Sequence, residues 1–314
     1  MSWLSAFSKA EIRALREVSD LHGAAMIASN WAIIVGSLAL VAWVPHVLTV
    51  VLALLLIGAR QLGLAIVMHE ASHRTLFRSR RLNDWAGNWL AAYWVFLGVE
   101  LYRPYHLQHH AHTGSTKDPD LILRKGFPTT GASMTRKVLR DLTGIVGIKR
   151  VIGTTVLLFK TLANRSIEDV DAVTFMGTRF SRADAARALV GFVLTQSLLF
   201  GVLWLLGQPW LFAVWAGAWL TTQNLVTRIR SIGEHAMTEL SDDPFRNTRT
   251  IRTRWWERIF LAPNHVAYHL EHHLLMTVPA SNLPRLHAML RERGLLEGAQ
   301  IEDGYVALMR AALK

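Results

Sequence analysis

The chain has 314 residues, 51% hydrophobic and only 18% charged, with 34 Lys and Arg against 23 Asp and Glu for a formal net charge of +11. Ordinary soluble domains carry nearer ~25% charged residues, so the composition points away from a soluble globular protein. No cysteine is present, which excludes disulfides, thiolate metal sites, a built-in iron–sulfur cluster and a cysteine nucleophile; no recognisable module accompanies the basic charge, so nucleic acid is not an expected partner.

Met1 to Asp20 mixes charges and lacks the signal-peptide pattern. The first apolar run is therefore expected to act as an uncleaved insertion signal. No Asp, Glu, Lys or Arg occurs from Leu21 through Ala59, and none from Ala188 through Thr227. Each of these deserts is about 40 residues, twice the ~20 that a helix needs to cross a bilayer. Pro45-His46 breaks the first and Gly207-Gln208-Pro209 the second. Two helical hairpins are predicted, hence four spans near 24–44, 47–67, 188–206 and 210–229. Core helices of a soluble protein rarely come as paired charge-free runs of this length. Arg60 interrupts the second span and is expected to snorkel to the interface.

Span two runs into a first histidine cluster, His69-Glu70-Ala71-Ser72-His73. Trp85 to Val99 is apolar but too short to span. It is predicted to be interfacial or re-entrant, with Trp85, Trp89, Tyr93 and Trp94 as an interfacial belt. Pro104 suits a helix's first turn and precedes the second cluster, His106-Leu107-Gln108-His109-His110. A polar, turn-rich loop follows from His112 to Asp120. Residues 141–163, with Lys149, Arg150 and Lys160, read as an amphipathic surface helix. Span four leads to Arg228 and on to His235; if the helix continues, His235 lies one or two turns past the membrane and is a candidate ninth ligand. A basic loop, 242–258, carries Trp255 and Trp256 as interface anchors. The third cluster, His269-Leu270-Glu271-His272-His273, opens after Pro263, and the Leu-rich stretch 283–297 forms a closing helix.

Loop charge sets the expected orientation. The hairpin tips carry no Lys or Arg, whereas segment 69–183 carries 17 of the 34 and the tail from Arg228 another 12. The positive-inside rule places both regions, and both termini, in the cytoplasm. The charge then serves orientation and attraction to anionic headgroups, or also the docking of an acidic redox partner. The expected architecture is one all-α integral membrane domain over 1–314, four spans in two hairpins with a cytoplasmic helical cap, 69–183 and 230–314, that carries the histidines.

Imidazole is the commonest metal ligand, and residues three and four apart share a helix face. H-x-x-x-H therefore aims two imidazoles one way, and H-x-x-H-H aims three. The clusters supply eight nitrogens, enough for two ions and too many for one. For randomly scattered histidines, finding H-x-x-H-H twice has a probability on the order of one in a thousand or less. A merely solvated histidine patch does not explain such spacing. Neutral imidazoles suit Zn, Cu, Fe or Ni. Zinc takes three or four protein ligands, so two zincs fit numerically. Two irons with open positions would instead activate dioxygen, and an apolar pocket in a membrane favours that, because an unactivated C–H bond gives acid–base catalysis nothing to grip. The first cluster also reads as H-E-x-x-H, a zinc protease signature with Glu70 as general base, but that leaves both H-x-x-H-H clusters unexplained. E-x-x-H occurs once only, against a soluble di-iron carboxylate bundle. Glu70, Asp118, Asp120 and Glu271 are candidates to hold imidazole N–H groups. His112 and His265 lie near clusters and read equally as substrate-side or ordinary polar positions. His22, His46 and His287 are isolated.

These three clusters on the cytoplasmic side of four spans resemble the membrane fatty acid desaturase and hydroxylase superfamily, whose boxes are matched by His69/His73, His106/His109/His110 and His269/His272/His273. The resemblance runs from the first span to about Leu290. The stretches HHAHTGSTKDPDL and NHVAYHLEHHL resemble bacterial acyl-lipid desaturases in particular, and carotenoid ketolases share the boxes. The resemblance implies two Fe ions, dioxygen as co-substrate, no catalytic side chain beyond the ligands, and a lipid acyl substrate that becomes an alkene. Hydroxylation or ketolation of a lipid or carotenoid is the alternative on the same scaffold. Family members of the stearoyl-desaturase type use a ninth histidine, matched by His235, and an Asn four residues before it; here that position is Ser231, with Asn264 as a substitute. No cytochrome b5 motif is present, so the expected donor is a separate ferredoxin or cytochrome b5-type protein. The bacterial inner membrane is the expected location. The substrate's carrier is open among acyl-CoA, acyl carrier protein, phospholipid, sphingolipid and carotenoid.

Overall fold

A computed structural model describes residues 3–163 and 181–314; residues 164–180 of the expected cap lie outside the described residues. Ser8 opens α1 (Lys9–Leu15) with a reciprocal cap to Glu11, and Ser19 caps α2 (Asp20–Trp43). The chain turns at Pro45, and His46 Nδ1 accepts from Leu48 N to start α3 (Val47–His73). α3 is the axis of the fold. It packs on α2 and is buried almost throughout from Ile57 to Ser72. Glycines permit the close approaches: a Cβ on Gly63 would lie 2.0 Å from Asn30 Oδ1 of α2. Lys9–Trp43, Val47–His73 and, later, α9 (Arg182–Leu205) are long and apolar enough to cross a membrane. The protein is thus mostly helical, with apolar helices of membrane type.

Between the hairpins come α4 (Arg80–Trp89), a 3-10 turn at Ala92–Val95, and α5 (Val99–His112). This apolar stretch packs against α3 and α9 and does not span. Trp85 and Trp89 are exposed as expected, but Tyr93 is buried against Gly191 of α9, so it belongs to a helix contact and not to a belt. Pro104 falls in the second turn of α5, because the helix starts at Val99 behind the Gly98 cap. After the turn α6 (Leu121–Arg124), α7 (Gly131–Leu142) and α8 (Ile145–Leu162) meet at 63°, and count as a span only if the bent pair is one. Ile145, Ile148, Ile152, Val156 and Phe159 of α8 are all exposed.

The predicted fourth span is divided. α10 (Leu211–Leu220) and α11 (Thr222–His235) are separated at Thr221, which sits at φ −119°, ψ −85°. The Thr221 hydroxyl bonds back to Gly217 O at 2.5 Å, and Thr222 bonds across to Leu54 O of α3. Side-chain hydroxyls that compete for backbone carbonyls bend helices, and here they let the chain change direction without Pro or Gly. Ten residues cover only about 15 Å, too little to cross alone.

The remaining described residues pack at the histidine-bearing ends of these helices: α12 (Pro244–Asn247), α13 (Trp255–Phe260), α14 (His269–Leu274), α15 (Leu283–Glu292) and α16 (Tyr305–Ala311). A two-residue parallel pair, β1 (Thr250–Ile251) with β2 (Ile301–Glu302), pairs Thr250 with Ile301 and departs from the all-α expectation. Arg60 does not snorkel. It is 5% exposed and donates through Nη2 to the carbonyls of Arg258 and Ile259, tying α3 to the end of α13. The N-terminal segment joins the cap too, since Arg293 after α15 pairs with Glu11 and bonds Ala6 O.

Candidate metal centre

Four helix ends converge under the cap. α3 delivers His69 and His73, α5 delivers His106, His109 and His110, α11 ends on His235, and α14 supplies His269, His272 and His273. The nine imidazoles sort into two groups, each with its ligand atoms within 4.8 Å of one another: His69, His73, His106, His110 and His272; and His109, His235, His269 and His273. Adjacent residues divide between the groups. Neighbours on a helix point about 100° apart, so His109 and His110 cannot share an ion, nor can His272 and His273.

The ring nitrogens meet the demands of a metal. Nε2 of His69, His73 and His273 are buried without a hydrogen-bond partner among the described residues. Other Nε2 atoms face each other: His235 and His269 at 2.8 Å, His110 and His272 at 2.9 Å, His106 and His110 at 3.1 Å. These separations bring the nitrogens close enough to serve one ion. Five imidazoles in one group also exceed zinc's usual three or four protein ligands.

Four of the far nitrogens are hydrogen-bonded, which orients those rings. His109 Nδ1 meets Asp118 Oδ1 at 2.7 Å, His235 Nδ1 meets the Asn247 carbonyl at 3.1 Å, His106 Nδ1 meets the Tyr102 hydroxyl at 3.2 Å, and His273 Nδ1 meets Thr113 Oγ1 at 3.4 Å. Glu70 Oε1 and Glu234 Oε1 each stand 3.4 Å from a ligand Nδ1, those of His69 and His269. Arg230 in turn pairs with Glu234 at 2.5 Å. Burial holds His106, His235, His269, His272 and His273 well below the ordinary imidazole value, so they are neutral and their lone pairs free. His109 goes the other way: burial opposes its charge, but the bond to Asp118 and the charges of Asp120, Asp118 and Glu234 raise it. Glu234 is pushed up to about 7 by burial, against the pull of Arg230.

Of the acidic positions singled out from sequence, Asp118 and Glu70 stand behind imidazoles of the two groups. Asp120 does so at longer range, 3.6 Å from His109, and also accepts from the Tyr105 hydroxyl. Glu271 does not. Its carboxylate takes Thr250 Oγ1 at 2.5 Å and His287 Nδ1 at 2.6 Å, because α14 turns residue 271 away from the face that carries 269, 272 and 273. His287 is therefore not isolated. Asn264 is committed elsewhere, its Oδ1 to Asn30 and its Nδ2 to Gly63 O, and Ser231 bonds Thr227 O. His22 is exposed, and His265 is exposed in a left-handed turn at φ +60°. Sequence reasoning missed Tyr102, Thr113, Glu234, Arg230 and Asn247. Tyr102 and Glu234 carried a signal, standing four residues before His106 and one before His235.

The fatty acid desaturase family matches residues 42–302. The chain belongs to that family. Within it, this desaturase-family chain is similar to dihydrorhizobitoxine desaturase of Bradyrhizobium elkanii, 31% identical over 268 residues, 83% of this chain and 72% of that protein. Shorter stretches are similar to beta-carotene 4-ketolase of Protosiphon botryoides, 35% identical over 87 residues, 27% of this chain and 21% of that protein. Zeaxanthin 4-ketolase of Chlamydomonas reinhardtii is 38% identical over 60 residues, 18% of this chain and 14% of that protein. The chain is an oxidoreductase of the membrane desaturase and ketolase kind, with histidine clusters suited to metal.

Proposed function

We propose that the protein is a dioxygen-dependent di-iron oxidoreductase of the bacterial inner membrane that introduces a double bond into a lipid acyl chain. The observation that carries this reading is the division of nine histidines, six buried and three half-buried, into groups of five and four whose ring nitrogens converge. A fifth imidazole in one group exceeds the three or four protein ligands that zinc usually takes, and neutral imidazoles suit iron. Bound there, the two irons would supply an oxidant strong enough for an unactivated C–H bond. Removing two hydrogens from adjacent carbons while reducing dioxygen to two waters takes two further electrons and two protons. The electrons come from a separate ferredoxin or cytochrome b5-type donor meeting the basic cap.

The chain's own side chains orient and enclose. Asp118, Tyr102, Thr113 and the Asn247 carbonyl turn each Nε2 inward. Glu70 is not placed as a protease base: Oε2 is taken by Ala280 N at 2.8 Å and Thr75 Oγ1 at 3.0 Å, and Oε1 faces His69. No side chain beyond the ligands is assigned a chemical step. Oxygen insertion, as hydroxylation or ketolation, is the second reading, favoured by the two ketolase relatives. The relatives' names span a desaturase and carotenoid ketolases, so the family name alone does not choose a substrate. The basic charge of the histidine side assigns it to the cytoplasm.

Metal analysis of the detergent-purified chain, with lipid profiling of expressing cells beside a His109→Ala control, tests the proposal. About two irons per chain and a lipid lighter by two hydrogens are expected. Two irons with a product heavier by one oxygen moves the assignment to hydroxylation. One zinc and no lipid change overturns both.

A further inference from the structure

Asn247, Thr248, Arg249 and Thr250 lie in the basic loop of the sequence, yet all four are buried, Arg249 to 3% exposure. This short segment bonds to each helix that supplies the group of four histidines. At the end of α5, which carries His109, Asn247 Nδ2 donates to the Thr113 carbonyl at 3.2 Å. At α11 the Asn247 carbonyl accepts from His235 Nδ1 at 3.1 Å. At α14, which carries His269 and His273, Thr250 Oγ1 donates to Glu271 Oε2 at 2.5 Å. Thr250 also bridges to Tyr268, the residue before His269. Among the described residues, none of the hydrogen bonds of 247–250 reaches α3.

Arg249 does for the backbone of His235 what Asn247 does for its ring. The last carbonyls of a helix lack partners within it and carry its negative end. Arg249 Nη1 donates to Gly233 O at 3.1 Å and Ile232 O at 3.4 Å, and Nη2 donates to Ala236 O at 3.1 Å. Those carbonyls lie on both sides of His235, and a planar guanidinium can hold them together where a single ammonium cannot. Arg60 and Arg124 also hold main-chain carbonyls, but those of Arg258, Ile259, Thr238 and Glu239. The helices divide the work. α11 serves the group of four alone, α3 serves the group of five alone, and α5 and α14 serve both. We propose, on the two-ion reading above, that the segment Asn247–Thr250 positions the four-histidine site, with Arg249 fixing where the end of α11 presents His235. Arg249 is a positioning residue for one ion of the two.

Anaerobic equilibrium dialysis of radiolabelled ferrous ion against the metal-stripped, detergent-purified full chain reads both ions without dioxygen or turnover. Arg249→Met is expected to bind the second ion about tenfold more weakly and the first as wild type does. Arg249→Lys keeps a cation at the helix end but loses the fork. It is expected to lose less affinity, again for one ion, and it carries the test if the Met variant does not fold. In a His235→Ala chain α11 supplies no ligand, so either substitution is expected to cost no further affinity there. A general loosening of the fold would weaken both ions in step and would add to the loss in His235→Ala. Either result overturns the assignment, as does wild-type binding in both Arg249 variants. If the wild type never takes a second ion, the two-ion reading falls and this assignment with it. Two ions held regardless of Arg249 leave that reading standing and remove only this one.

Discussion

At the scale of single residues, the imidazoles were legible and their supports were not. H-x-x-H-H is a local pattern, and a helix converts it to geometry at once. A support arrives from wherever the fold brings it: Asn247 lies 12 residues beyond His235, and Thr113 lies 160 before its partner His273. Asp118 is the firmest of them, fully buried at 2.7 Å from His109. Asp118→Asn keeps the shape and removes the charge. It is expected to weaken metal binding by the group of four histidines roughly 10–100-fold, seen as iron lost on dialysis under conditions where wild type keeps it. His287→Ala is the informative contrast. The sequence marks it as an isolated histidine, but it is the partner of Glu271, whose side chain is wholly buried. Its removal is expected to cost about 1–3 kcal/mol of stability, read as a lower thermal midpoint with iron content unchanged.

Helices show where patterning runs out. Charge deserts mark apolar helices well, because a bilayer tolerates few charges. They say nothing about a break made by hydroxyls, so Thr221 and Thr222 pass in the sequence as ordinary members of a span. The same blindness applies to Arg60, which looks interfacial by position yet is spent on two carbonyls of α13. It applies to Tyr93, which is buried against Gly191, distant in the sequence. That contact makes a paired test. A Cβ at Gly191 would meet the Tyr93 ring at 2.3 Å, while one at Gly201, ten residues along the same helix, meets nothing within 4 Å. Gly191→Leu is expected to destabilise by about 1–3 kcal/mol and to lower the yield of folded protein. Gly201→Leu is expected to match wild type. Equal behaviour of the two would mean that α9 does not pack on the Ala92–Val95 turn.

For the molecule as a whole, the absence of cysteine is an experimental convenience. Single cysteines at Gln208, in the second hairpin's tip, and at Glu297, exposed in the cap, are expected to react with an impermeant maleimide from opposite sides of the membrane; labelling from one side would discard the hairpin topology. The arrangement of the histidines carries a different consequence. The rings of His109 and His110 are 5.8 Å apart, those of His272 and His273 5.7 Å, and each pair straddles the two groups. With these nine as ligands, an ion that settles among one set fixes two of the three helices from which the other set must be built. The entropy of ordering those side chains falls on the first arrival, so the second binds a prepared site. Titrated with less than a full complement of ferrous ion, the apoprotein is expected to divide into empty and doubly filled molecules, with few carrying one. Native mass spectrometry would count them, and a statistical spread of zero, one and two would show that the sites fill as strangers.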